Sequence, residues 1–124
     1  MTVDARTDVV ERRRITLLVL AVFLAPFAAM LHLQLSYMDV RHACRSASEL
    51  RLHLESAVLL AVALVGVLLA WRGWHAVGAT WPADEGGHDG RSRFLFLAGL
   101  LLGVLFSLVI VAQWLAVFLL APCQ

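Results

Sequence analysis

The sequence contains no lysine, and all ten of its basic residues are arginine. Charge of either sign is missing altogether from residues 15–38 and 94–120. A third apolar block, residues 54–74, admits only Glu55 near its start and Arg72 near its end. These absences exclude a soluble globular domain. A chain of 124 residues that is 61% hydrophobic, with mean hydropathy +0.83, has too high a surface-to-volume ratio to hide that much oil from water. The blocks also lack the alternating pattern of a transmembrane β-barrel strand. No CxxC, GxSxG, P-loop, HExxH or EF-hand pattern occurs, so no motif for thiol exchange, serine hydrolysis, nucleotide binding or metal-dependent proteolysis is present. A net charge of +1 gives no strong pull toward nucleic acid.

What remains is three apolar blocks, each able to supply the roughly 20 helical residues that cross ~30 Å of hydrocarbon. The sequence predicts an all-α, single-domain membrane bundle with spans at about 15–38, 54–74 and 94–120. An outer loop is expected at 39–53 and a cytosolic loop at 75–93. Arg6, Arg12, Arg13, Arg14, Arg72, Arg91 and Arg93 fall on one side of such a model, and Arg41, Arg45 and Arg51 on the other. The arginine-rich side is expected to be cytoplasmic, with the N-terminus inside and the C-terminus outside. Trp71 and Trp74 then mark the inner interface and Tyr37 the outer one. The start "ERRRITLLVLAVFLAPFAA" resembles a signal peptide, but its apolar run continues to Met38, longer than a cleaved signal needs. It is read as a retained span in a cytoplasmic (inner) membrane.

Between the spans, residues 1–11 are polar and expected to fray as a short tail. Pro26 removes a backbone donor in the middle of the first helix and is expected to kink it. Ser46 or Ser48 is a candidate N-cap for the second helix. "WPADEGGHDGRSR" has the Gly, Pro and Asp content of a flexible loop. Its His88, Asp84, Glu85 and Asp89, with His75 before it, have no metal-ligand spacing and read as a solvated charge run.

Helices in lipid are held by close backbone approach and polar contacts rather than by the hydrophobic effect. Ala21, Ala25, Ala28, His32 and Ser36 share one face of the first helix on a 100° wheel. Ser56, Ala63, Gly66, Ala70 and Gly73 form a matching stripe on the second. Gly99 and Gly103 give the third a GxxxG face, continued by Ile110 and Val117. These faces predict an intramolecular bundle, with docking of a partner subunit on the Gly99/Gly103 face as the alternative.

Three spans put the only two cysteines, Cys44 and Cys123, on the same side of the membrane, which the arginine distribution makes extracytoplasmic and oxidising. A structural disulfide between them is expected. A zinc site is the competing reading, with His42 and His53 as the nearby ligands where four are wanted. His32 and Gln113 lie at similar depth below the outer ends of their helices, with Gln34, Ser36 and Glu55 above or beside them. This intramembrane polar cluster is expected to face the bundle interior, with a His32–Gln113 hydrogen bond across helices. A quinone or small-ligand contact, and haem ligation by His32 and His53, are the competing uses. Glu55, at a span's mouth, is expected to be hydrated.

"HLQLSY" at 32–37, "ACRS" at 43–46, "LH" at 52–53 and "AQWLAVFLLAPCQ" at 112–124 together resemble small three-span proteins that accompany bacterial respiratory terminal oxidases of the haem-copper type. The resemblance covers about a third of the chain through short motifs. It implies an accessory or assembly partner in the cytoplasmic membrane, with Cys44 and Cys123 as an outer pair and no catalytic residue. The expectation is therefore a non-enzymatic integral membrane protein whose partners are the bilayer and a larger membrane complex, with no cofactor and no metal. The alternatives are a small redox protein binding haem or quinone at the outer polar cluster, and an oligomeric small transporter using Glu55 and His32 as coupling groups.

Overall fold

The computed structural model describes residues 2–46, 49–81 and 87–120. They form three helices: α1 (Thr2–Ser46), α2 (Leu50–Ala76) and α3 (His88–Leu119). Each is long and apolar enough to cross a membrane. No strand occurs among the described residues. Every pair of helices is in contact, and the contacts fix the directions. His32 meets Ser56 while Leu24 meets Gly66, so α1 and α2 run antiparallel. Phe96 lies on Gly73 while Trp114 meets His53, so α2 and α3 are also antiparallel. Ala21 lies against Gly99 and His32 against Gln113, which makes α1 and α3 parallel. The bundle runs up, down, up.

Its core is inverted relative to that of a water-soluble bundle. Ala21, Ala25, Ala63 and Ala70 are fully buried, and among the described residues Ile110 and Leu52 are the large apolar side chains sealed as completely. Phe23, Phe27, Leu101, Leu108 and Phe118 face outward. In water that exposure would drive aggregation; in hydrocarbon the large side chains are solvated by lipid and the interface is left to small residues.

Small residues let the backbones close up. A Cβ on Gly99 would lie 2.9 Å from the Ala21 carbonyl oxygen, and one on Gly103 would lie 2.8 Å from Val67 Cγ2. Gly99 therefore faces α1 and Gly103 faces α2. The GxxxG face is occupied within the bundle, which removes it as the docking face for a partner subunit.

The helices outrun the expected boundaries. Most of the predicted outer loop at 39–53 is helical: α1 continues to Ser46 and α2 begins at Leu50. "DVRHACRS" contains no Gly or Pro to stop a helix, and Arg45 lies in the last turn, where a cation complements the helix dipole. The N-terminal tail is likewise helical from Thr2 rather than frayed. It too lacks Gly and Pro, and Asp4 sits in its first turn. α1 continues through Pro26 as one helix. The N-cap of α2 is Glu49, without a side-chain capping bond. Ser46 instead donates to the His42 carbonyl within α1, and Ser48 lies outside the described residues.

At the other end, α2 stops where Gly78 takes a positive φ of 103°, which favours glycine. Its last turns are closed by Gly78 N–H to His75 O and Ala79 N–H to Trp74 O. Arg93 of α3 donates from Nε to Val77 O at 2.8 Å, placing a cation on the carbonyl end of α2.

Candidate functional site

α1 carries the polar side of the bundle along one face. From Ala25 and Ala28 the same spacing leads to His32, Ser36 and Asp39. His32 is 1% exposed and lies between the other two helices. Its Nδ1 is 2.6 Å from Gln113 Oε1, and its Nε2 is 2.8 Å from Ser56 Oγ. The Ser56 hydroxyl is also 2.8 Å from the Leu52 carbonyl of its own helix.

Proton accounting closes this chain in two ways. The Ser56 hydroxyl has one proton. Donated to Leu52 O, it leaves His32 Nε2–H to donate to Ser56 Oγ, and Nδ1 then accepts from the Gln113 amide turned to present its NH₂. Donated to His32 Nε2, it makes Nδ1–H the donor to Gln113 Oε1. In either arrangement a neutral imidazole has both nitrogens engaged by protein. Three side chains from three helices meet at one buried ring.

A second polar layer lies closer to the 46/50 end. Ser36 donates to Glu55 Oε1 at 3.4 Å, a long contact. Asp39, buried, faces the same carboxyl and pairs with Arg51 Nε at 3.0 Å. Arg51 is well exposed, so this ion pair has little energy to contribute beyond orienting Asp39. Glu55 Oε2 is buried without a hydrogen-bond partner. Glu55 is half-buried in the second turn of α2, with one carboxylate oxygen enclosed and the other facing Ser36.

Gln34 does not join the cluster. It lies on the exposed face of α1, two residues and some 200° around the helix from His32. Tyr37 is exposed, as an interfacial aromatic is. His53 turns to α3: Trp114 Nε1–H donates to His53 Nδ1 at 2.9 Å, and the Phe118 ring lies 4.7 Å from the imidazole centroid. An indole only donates, so His53 Nδ1 is the acceptor and the ring proton is on Nε2. His75 meets Trp71 and Trp74 edge-on at the opposite end of the bundle.

These positions do not fit a bis-histidine haem. His32 would have to break its bonds to Gln113 or Ser56, and His53 is held by a different pair of side chains. Among the described residues no group of three His, Cys, Asp or Glu side chains is placed to hold a metal ion. Cys44 stands on the exposed surface near the end of α1, and no free cysteine occurs among the described residues. Cys123, Asp84 and Glu85 lie outside them.

Three contributors escaped sequence reasoning. Asp39 reads as the charge that ends a span, although its i+3 spacing from Ser36 continues the inner face. Ser107 is buried and donates to Gly103 O at 2.7 Å, satisfying itself within α3. Trp114 has no sequence signal beyond its place one residue after Gln113. The chain matches no protein-family model, and no curated protein or solved structure shows significant similarity to it.

Proposed function

We propose that this chain is a non-enzymatic, multi-pass integral membrane protein that acts as an accessory or assembly subunit of a larger membrane complex. The observation that carries this reading is the saturation of the central polar layer. His32 has both ring nitrogens engaged by Gln113 and Ser56, so the layer locks three helices together and offers no vacant donor set to a substrate. The resemblance of residues 32–37, 43–46, 52–53 and 112–124 to proteins accompanying haem-copper oxidases points to a respiratory complex. Deletion of the chain is expected to lower the assembled amount of one membrane complex, and the same complex should co-purify with it from mild detergent. An isolated chain in every detergent, with no complex altered by the deletion, overturns the proposal.

The membrane orientation proposed is N-terminus cytoplasmic and C-terminus extracytoplasmic, supported by seven arginines on one side against three on the other. A Cys44–Cys123 disulfide belongs to the same proposal. Cys44 is not a free thiol, and it stands about three helical turns beyond His32, much as Cys123 follows Gln113 by about three turns' worth of residues. An impermeant maleimide applied to intact cells should label neither cysteine before reduction and both after it. Labelling without reductant, or only from the cytoplasmic face, refutes bond and orientation respectively.

A further inference from the structure

We propose that the groove between the N-terminal turns of α1 and α3 is a binding site for one anionic phospholipid. The groove has a volume of about 1260 Å³ and opens where both helices pass from charged to apolar sequence. α1 has 45 residues and is about 67 Å long at 1.5 Å per residue, more than twice the ~30 Å hydrocarbon core. Its uncharged run begins at Ile15, and that of α3 begins at Phe94. The turns before those residues stand at the level of lipid headgroups.

The lining of the groove follows the same order. Ile15 and Leu18 of α1 and Leu95 of α3 form the apolar lining of its membrane-side part, and Val3, Ala5 and Val10 add apolar surface at its outer end. Among the described residues, Arg6, Arg14 and Arg91 surround its charged part with one carboxylate, Glu11. Arg14 Nη2 donates to the buried Ser92 Oγ at 2.9 Å, a bond across the two helices that fixes the floor between the charged and apolar zones. Arg6 and Arg91 are exposed and make no salt bridge among the described residues. They are the groups placed to take a phosphate.

A free anion would use only the charged half of this groove, and a neutral lipid only the apolar half. A phosphodiester joined to acyl chains uses both, with the charge outside the hydrocarbon boundary and the chains within it. The charge excess selects an anionic headgroup over a zwitterionic one. Arginine forks suit phosphate oxygens in pairs.

The test is lipid titration of the purified full-length chain in detergent, read by native mass spectrometry, with dioleoylphosphatidylglycerol against dioleoylphosphatidylcholine. One phosphatidylglycerol is expected to be retained in preference to phosphatidylcholine. The double variant Arg6→Gln/Arg91→Gln should bind it roughly tenfold more weakly, since each basic residue contributes a severalfold factor at an anionic surface. Arg41→Gln/Arg45→Gln, which removes the same charge from the other end, should bind it as the parent does. Both pairs are exposed, and helical circular dichroism checks that each variant is folded. Equal retention of the two lipids overturns the proposal. So does equal weakening by the two double variants, or full displacement by excess glycerol phosphate, which would reduce the site to one for a free anion.

Discussion

Gly99→Val should pry α1 from α3 and cost more stability than the same change at Gly66 or Gly103. A Cβ at this position meets Ala21 O at 2.9 Å and Ala21 C at 3.2 Å. Those are backbone atoms in the middle of a helix, so neither can rotate away, and the two helices must separate along their contact. Overpacking of this kind costs about 1–3 kcal/mol for small additions. Gly99→Ala is expected within that range and Gly99→Val above it. Gly103→Ala, whose nearest obstacle is the Val67 Cγ2 methyl at 2.8 Å, should cost less than Gly99→Ala, because a methyl can shift where a carbonyl cannot. Gly87→Ala, with nothing within 4 Å, should be close to neutral. Unfolding of the purified chain in mixed micelles, followed by circular dichroism as the denaturing detergent fraction rises, ranks the four. Gly103→Ala costing more than Gly99→Ala would show that the Val67 methyl yields less readily than the α1 backbone at Ala21.

That ranking also shows why the packing faces were legible in the sequence. Hydrocarbon thickness sets how long an uncharged run must be, so three spans follow from counting alone. Lipid cannot press helices together, so the interface must consist of residues that let backbones meet. In this chain Ala21, Ala25, Gly66, Ala70, Gly99 and Gly103 stand out among leucines and valines. Depth was legible too: His32 and Gln113 lie at matching distances from the ends of parallel helices, and they meet.

What stayed hidden depended on helix ends and on rotation about the axis. Hydropathy treats Asp39 as the residue where a span stops, whereas the backbone has no reason to stop at a charge when neither Gly nor Pro follows. The helix therefore carries Asp39 onward on its inner face. Counting depth from Leu54, where the span begins, places Ser56 near the rim, whereas in the bundle it lies beside His32. Gln34 fails for the complementary reason. Its depth matches that of its neighbours, but the 200° turn from His32 puts it on the outside. Residue counting gives height, and only the helical wheel gives direction.

His32→Leu is expected to destabilise the bundle by about 2 kcal/mol, with most of the effect traceable to Gln113. Interhelical hydrogen bonds in membranes average ~0.6 kcal/mol and reach ~1.7, while a buried polar group left without a partner costs ~1–3. The ring makes two such bonds, and its removal has unequal consequences for the partners. Ser56 keeps the Leu52 carbonyl at 2.8 Å and remains satisfied. Gln113 has no other hydrogen-bond partner among the described residues and must bury its amide or turn it toward lipid. Gln113→Leu alone strands His32 Nδ1 in the same way, while Ser56→Ala strands Nε2. The double variant His32→Leu/Gln113→Leu strands neither member of that pair, so it should be less destabilised than the two single costs added together, by ~0.5–2 kcal/mol of coupling. The same mixed-micelle unfolding experiment measures all corners of the cycle. Strict additivity would mean that the layer does not fasten α1 to α3, which would leave those helices to the packing of Ala21 against Gly99 and the Arg14–Ser92 bond.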